Sequence, residues 1–376
     1  MNRKNICEIC TLIMGQSPDS KSYNKDKNGI PFYQGNADFG EEHPTPTVWC
    51  TAPKKIARKG DILISVRAPI GDMNIANEDC CIGRGLAAIR LNKSDIVDIN
   101  YLYHYLSATV EFLQEQGTGS TFKAINKTTL EGIEIPCPSI EKQKNIAKLI
   151  IEIKTSIQYK KAELFALNEL VKSRFIEMFV EKGFKEITFS DYAEIIDGDR
   201  GKNYPKAEEF SDEGYCLFLS AKNVTKDGFL FEQMQFISEE KDNLFRKGKL
   251  CRGDIVITTR GTIGNIAFYD DDIPYDNVRI NSGMVIIRQK EVSFNQIFFL
   301  NAFKNKIDEI KETNVTGAAQ PQLPIHIMSK IKLLNPPIEL QNEFADFVKL
   351  IDKSKFVGYF TLNIFYVKSS HFHHPP

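Results

Sequence analysis

Residues 60–71 read GDILISVRAPIG and residues 253–264 read GDIVITTRGTIG, one segment repeated 193 positions later. From IGRGLAAIR (82–90) against INSGMVIIR (280–288) the offset becomes 198. It then holds to Gln143 and Gln341, taking in IEIPCPSIEKQ and IKLLNPPIELQ. A period of this length constrains the chain to two copies of one domain, each running into the start of a helix. Two similar domains hold two similar objects, which is a different expectation from one catalytic pocket.

Within each copy the elements follow one order. A polar, glycine-containing opening comes first, IMGQSPDS (13–20) and IIDGDRGKNYP (195–205). Ile62, Ile64 and Val66 then alternate with Ser65 and Arg67, as Ile255 and Ile257 do with Val256 and Thr258. A period of two between Gly-Asp and Gly predicts strands bounded by turns. Five extra residues near FYDDDIPYDNV (268–278) mark a surface loop in the second copy. A helix follows, YLYHYLSATVEFLQEQ (101–116) and FFLNAFKNKIDEIKET (299–314), with Leu102 matched to Leu300, Tyr105 to Phe303 and Phe112 to Ile310. Each helix enters a glycine loop, then a short strand and a proline junction.

Beyond the first junction, Ile146, Ile150, Ile153, Ile157, Leu164, Leu167, Val171 and Met178 fall on alternating steps of four and three. Only Lys160 and Arg174 interrupt the seam. This is coiled-coil spacing, and residues 140–182 would reach about 65 Å as a helix that needs a partner for its seam. The second copy begins likewise with Leu340, Phe344, Phe347 and Ile351. After Lys355 the text becomes FVGYFTLNIFYVKSSHFHHPP, aromatic-rich and without a heptad, so only about 22 Å of second helix is expected. The expected division is 1–138 and 183–335 for the domains, 139–182 and 336–355 for the spacer helices, and 356–376 for an aberrant tail, truncated or frameshifted.

A chain of 376 residues exceeds one ordinary core. Its net charge of −1 excludes a globally basic nucleic-acid glove but leaves local basic loops. No stretch has the roughly 18–20 uninterrupted apolar residues of a membrane span, and the N-terminus lacks a signal-peptide core. Eight cysteines without framework spacing read as reduced thiols, so a cytoplasmic location is expected. Cys7 and Cys10 form a lone C-x-x-C, and the HFHH tail is an equally weak metal hint, so no metal site is assigned.

Catalytic motifs are equally thin. Asn335-Pro336-Pro337-Ile338 approaches the Asn-Pro-Pro-aromatic motif of amino-methyltransferases, but Ile replaces the ring that would stack a flipped base. Prolines before a helix act more simply as helix starters. No phosphate-loop motif accounts for ATP hydrolysis. Glu239-Glu240-Lys241 reads as a charge run, and Gly83, Gly85, Gly261 and Gly264 as turn glycines. No Ser/His/Asp or Cys/His set can be assembled, so catalytic residues are assigned as none.

The loops leave a set of basic and amide residues. In the first copy these are Lys54, Lys55, Arg58, Lys59, Arg67, Arg84, Lys123, Asn126 and Lys127. In the second they are Lys222, Asn223, Arg246, Lys247, Lys249, Arg252, Arg260, Arg279, Asn281, Gln320 and Gln322. Arg and Lys suit phosphates and guanine edges, Asn and Gln adenine edges. For any single residue a solvated surface charge is the plainer reading. Arg67 and Arg260 stand out because they close equivalent strands at a turn.

At these residues the chain resembles the specificity subunit of a type I restriction-modification system. The resemblance rests on the two GDI segments, on GSTFKAINKTTLEGIEIPCPSIEKQKNIA (119–147) and on GAAQPQLPIHIMSKIKLLNPPIELQNEFADFVKLIDKSK (317–355), and covers about residues 1–355. It implies an α/β (α+β) fold of two target-recognition domains with mixed and antiparallel sheets, joined by spacer helices in an antiparallel coiled coil. It further implies a sequence-specific, non-catalytic DNA-binding subunit that reads a bipartite, asymmetric site and docks subunits on its spacers. The partners implied are double-stranded DNA, two methyltransferase subunits and restriction (translocase) subunits, with no membrane. S-adenosylmethionine, ATP and Mg would be used by those partners, none being bound by this chain. The alternatives are a self-contained methyltransferase or endonuclease, a structural scaffold, or a silent variant whose first spacer lacks a full partner.

Overall fold

The computed structural model describes residues 2–115, 117, 124–290, 294–314 and 323–370. It divides into two compact units, residues 1–161 with 359–376, and residues 162–358.

In the first unit six strands and a helix carry the architecture: β1 (Cys10–Met14), β2 (Ile30–Tyr33), β3 (Ile62–Ser65), β4 (Met73–Ile75), β5 (Cys80–Ile82), β6 (Leu86–Leu91) and α1 (Ile99–Ala108). An antiparallel sheet runs in the order β1-β6-β3-β4. Ile62 stands opposite Ile89 and Ile64 opposite Ala87. A second, mixed sheet of five strands contains β2 and β5 as parallel neighbours. Ile62, Ile64, Ala87 and Ile89 pack with Leu102, Leu106 and Leu113, while Leu63, Leu86 and Ala88 pack with Tyr33 and Ile82. The alternation read along β3 therefore separates two apolar cores, not core from solvent, because the sheet is covered on both faces. The spacer helix α2 (Ile140–Phe175) starts in this unit.

The second unit repeats the plan with β7 (Ala193–Asp197), β8 (Cys216–Leu219), β9 (Asp254–Thr258), β10 (Ile266–Tyr269), β11 (Val278–Ile280), β12 (Met284–Gln289), α3 (Gln296–Asn314) and α4 (Ile338–Ser370). Its antiparallel sheet has the equivalent order, β7-β12-β9-β10, and β8 and β11 are the parallel pair. Its second sheet has only three strands.

The repeated Gly-Asp-Ile now has a physical explanation. Gly60 and Gly253 adopt φ of 88° and 90°, the left-handed region that glycine enters without a Cβ clash. Asp61 accepts the Arg58 amide at 2.8 Å and the Arg90 guanidinium at 2.7 Å. Asp254 likewise accepts the Cys251 amide at 2.7 Å and Arg288 at 2.7 and 2.9 Å. The last residue of each "IR" segment is thus clamped to the turn before the neighbouring strand.

Helix register departs from the sequence expectation by one residue. Asp98 caps α1 through the Asn100 and Tyr101 amides, and Asn295 caps α3 through those of Ile297 and Phe298. The buried amides of Gln143 and Gln341 each receive the backbone N–H of that cap residue at 2.9 Å. The matched inward positions are therefore Leu102 with Phe299, Leu106 with Phe303 and Leu113 with the partly buried Ile310, while Phe112 is exposed. Both helices carry adjacent apolar residues, so a one-residue slip left a plausible pattern.

Helix α2 continues as a single π turn, Ile176–Val180, so its length matches the expectation. The expected stop after Lys355 is wrong, since α4 runs unbroken to Ser370, about 50 Å. Buried or partly buried positions 344, 348, 351, 355, 358 and 362 along it recur at steps of four and three. Val348 is buried there beside Phe344, and Phe347 packs partly buried against the same core. Lys355 takes a seam position with its aliphatic stem covered, and Gly358 takes the next. A heptad of apolar letters missed both. In the second unit the helices are antiparallel: Gly358 lies against Leu164, Phe344 against Phe175 with ring centroids 5.5 Å apart, and Glu343 bonds Arg174 at 3.4 Å. Leu164 and Leu362, 198 residues apart, are each 6% exposed.

Candidate nucleic-acid interface

At one end of the sheets, a run of backbone hydrogen bonds draws several loops together, identically in both units. Gly83 N–H donates to Tyr33 at 2.8 Å, Val66 to Gly85 at 2.9 Å and Ile125 to Val66 at 3.0 Å. Their counterparts are Asn281 to Leu219 at 3.0 Å, Thr259 to Gly283 at 2.9 Å and Leu323 to Thr259 at 3.3 Å. The bonds place the loop after β3 beside the loop before β6, and the loop after β9 beside the loop before β12.

The loop carrying Arg67 is rigidly closed. Ser65 Oγ donates to the Pro69 carbonyl at 2.6 Å and accepts the Asp72 amide at 3.0 Å. Thr258 Oγ1 donates to the Thr262 carbonyl and accepts the Asn265 amide at 3.0 Å. Gly71 and Gly264 have φ of 97° and 71° and rest against Val110 and against the Lys311 stem beside Ile307, where no Cβ would fit without displacing a side chain. Arg67 and Arg260 stand exposed on these closed loops, and among the described residues neither guanidinium has a hydrogen bond or ion pair.

The other candidates divide by what their side chains already do. Lys54, Lys55, Arg58 and Lys59 are exposed around the 56–57 strand, and Arg84 is exposed at the β5–β6 turn. Arg246 and Lys247 are exposed on the loop after residues 239–243, where the Arg246 amide donates to Asp199 at 3.2 Å. Hydrogen bonds from the Gly201 and Arg246 amides hold the Asp199 carboxyl below its ordinary range. Gly248 and Gly198 approach closely there, so the Arg200 and Arg246 loops adjoin. Arg200, Arg260 and His326 line one shallow cavity of about 280 Å³. Lys222 is exposed and bonds Gln233, and Lys127 pairs with Glu131.

Four assignments are corrected. Arg279 is 5% exposed, its guanidinium bonded to the Asp242 side chain and to the carbonyls of Asp242 and Lys247, so it cannot reach DNA. Asn223 is buried, its amide donating to Leu230 and Gln233 carbonyls. Arg252 closes the 270–276 loop through Ile273, Tyr275 and Asp276 and covers the Tyr269 ring. Lys249 forms an ion pair with buried Asp242 at 2.6 Å. Asn126 caps residues 127–131 by accepting the Thr129 amide, and Asn281 accepts the Gly283 amide, so both side-chain oxygens serve local turns. Lys123, Gln320 and Gln322 lie outside the described residues.

Sequence reasoning missed Gln34. It is exposed at the end of β2, its Oε1 accepts Ser17 Oγ at 2.9 Å, and a Cβ on Gly83 or Gly85 would collide with it. Those two glycines therefore serve close packing against Gln34. No basic letter marked the position, and the copies differ there.

The motifs set aside as structural have structural partners. The Pro337 carbonyl accepts the Leu340 and Gln341 amides, making 335–337 a helix junction. Lys241 pairs with Glu209 at 2.8 Å. Cys7 is exposed and Cys10 buried, its thiol pushed up to about 12 chiefly by burial. The HFHH segment lies outside the described residues. Among the described residues no helix is long and apolar enough to cross a membrane.

Duplicated domains with matching cationic loops, and helices whose seams pair, define a two-site recognition scaffold. The type I restriction modification DNA specificity domain matches residues 1–169 and 181–356. The chain belongs to this family, as a specificity subunit of a type I restriction-modification system. It is 49% identical over 152 residues to the putative type I restriction enzyme MjaX specificity subunit of Methanocaldococcus jannaschii, covering 40% of this chain and 36% of that one. The MjaIX specificity subunit of the same organism is 25% identical over 92% of this chain and 85% of its own. Of the MjaVIII specificity subunit, also from that organism, the chain spans 65%. The crystal structure of a type I restriction-modification S subunit from M. genitalium shares the fold, with a TM-score of 0.56 over 99% of this chain and 94% of that one, at 17% identity.

Proposed function

We propose that this chain reads a bipartite, asymmetric site on double-stranded DNA, one half per unit, and docks methyltransferase and restriction subunits along its paired helices. The observation that carries the reading is the duplicated loop edge. Each unit presents, at the same place, an exposed arginine without a partner among the described residues, while the loops beside it differ, as unequal half-sites require. On this reading the chain supplies no catalytic group. S-adenosylmethionine, ATP and Mg are used by the partner subunits. The helix of α4 continuing past Lys355, with Gly358 and Leu362 buried along it, supports this reading over that of a silent variant.

The test is co-expression of the chain with its methyltransferase, followed by methylome sequencing of the host. A two-part motif with unequal halves and a fixed gap is expected. Methylation at one contiguous motif, or at none, would overturn the reading. Retention of methyl transfer by the isolated chain supplied with S-adenosylmethionine would favour a self-contained enzyme instead.

A further inference from the structure

The duplication separates what both units share from what each has alone, and recognition requires that separation. Arg67 and Arg260 occupy one position in the repeat, on loops closed by equivalent hydroxyls, equivalent glycines and an equivalent inward isoleucine, Ile70 and Ile263. Across the same backbone bonds the neighbours diverge. Gln34 and Arg84 in the first unit correspond to Ser220 and Ser282 in the second.

A group that is the same in both units is no source of difference between two half-sites. The component common to every DNA sequence is the phosphate backbone, and cations on rigid loops fix register on it. Base identity is read by groups that vary, and an amide held by a neighbouring hydroxyl, as Gln34 is by Ser17, suits a base edge.

We propose that Arg67 and Arg260 are a matched pair of phosphate clamps, one per half-site, and that they carry no base discrimination. The proposal rests on the DNA-binding reading above and assigns a role within it. Ser65 and Thr258 are the positioning residues that hold each clamp loop closed.

The experiment measures affinity of the full chain by fluorescence anisotropy across a salt series. Two duplexes are used, one containing the site found by methylome sequencing and one unrelated and of equal length. For Arg67→Ala and for Arg260→Ala, the slope of log affinity against log salt should shrink by about 0.9, the value for one phosphate contact. Affinity should fall by the same factor, several-fold, on both duplexes. Arg67→Lys and Arg260→Lys should restore most of it, because a phosphate accepts a point charge whereas a guanine edge needs the planar fork. Both arginines are exposed, so the variants should melt with the wild type. An unchanged slope, a loss confined to the recognised duplex, or failure of Lys to rescue would each overturn the proposal. A wild-type chain that binds both duplexes equally would overturn the sequence-reading function and leave the clamp assignment standing on its slope. Binding to neither duplex would overturn both.

Discussion

Asp254→Ala tests the physical reading of the repeated Gly-Asp-Ile. Asp254 is 2% exposed and Arg288 29% exposed on their side chains, joined at 2.7 and 2.9 Å, and Asp254 also accepts the Cys251 amide. Removing one partner of a fully buried pair costs about 3–5 kcal/mol. Arg288 reaches water over nearly a third of its surface, which lowers that to about 2 kcal/mol. The orphaned Cys251 amide adds about 1 kcal/mol. A loss of about 3 kcal/mol is therefore expected, and Asp254→Ala/Arg288→Met should recover most of it, because no unpaired charge remains. The chain supplies its own reporter: its single tryptophan, Trp49, lies in the first unit. In urea denaturation Asp254→Ala should move the circular-dichroism transition and leave that of Trp49 fluorescence in place, whereas Asp61→Ala should move the Trp49 transition. A cost below about 1 kcal/mol, or a double variant as damaged as the single one, would refute the clamp reading.

Two further predictions concern the helices. Gly358→Leu should destabilise the second unit because a Cβ there already stands 2.9 Å from Leu164 Cδ2, and Leu164→Ala should cost about 2 kcal/mol by leaving a void. Leu164→Ala/Gly358→Leu exchanges knob and hole, so it should melt above either single variant. His104, half-buried against α2 with its Nδ1 3.4 Å from Lys154 Nζ, has its pKa lowered to about 4, first by desolvation and then by the lysine charge. The unfolded state thus takes up the proton first, and stability should fall as pH drops from about 6.5 toward 4. Urea midpoints at pH 7 and 4.5 should differ less in His104→Gln than in the wild type.

The duplication, the strand positions and the first coiled-coil seam were legible because each is written in local letters. The sheet orders β1-β6-β3-β4 and β7-β12-β9-β10 were not among the expectations, since they pair strands remote in sequence. What was lost depended on partners remote in sequence. Whether an arginine is free was decided for Arg279 by Asp242 and for Arg252 by the carbonyls of a loop more than fifteen residues away. The second seam hid behind Lys355 and Gly358, one contributing a stem and the other close approach, neither an apolar letter. Gln34 was invisible because its role comes from strand β2 ending beside Gly83 and Gly85, which only the fold brings about.

One position shows why the two units need different side chains in equivalent places. Cys81 and Arg279 are 198 residues apart on β5 and β11. Strand β5 is paired on both sides, by β2 and by residues 56–57, so its backbone is satisfied and a buried thiol suffices. Strand β11 has β8 on one side and, on the other, pairs with Lys249, flanked by the bonds from the Leu250 amide to Val278 at 2.9 Å and from the Ile280 amide to Gly248 at 3.0 Å. The guanidinium of Arg279 instead ties down the neighbouring loop, donating to the carbonyls of Lys247 and Asp242 and stacking over Phe245 with 5.0 Å to the ring centroid. Burial pushes the Asp242 carboxyl up, and the hydrogen bonds from Lys249 and Arg279 outweigh it, so its pKa lies below the ordinary 3.8. A lowered carboxylate pKa means the pair stabilises the fold above about pH 4 and is lost only as pH falls through the lower folded value. Arg279→Cys, the residue of the first unit, should therefore fail in the second. It leaves Asp242 buried with Lys249 alone and the Lys247 carbonyl without its donor, a loss of about 3–5 kcal/mol. Hydrogen exchange should show residues 239–250 losing protection, with the loop of Arg246 and Lys247 released while the β7-β12-β9-β10 sheet stays protected. Unchanged protection in that segment would mean that the smaller sheet, not Arg279, holds the loop.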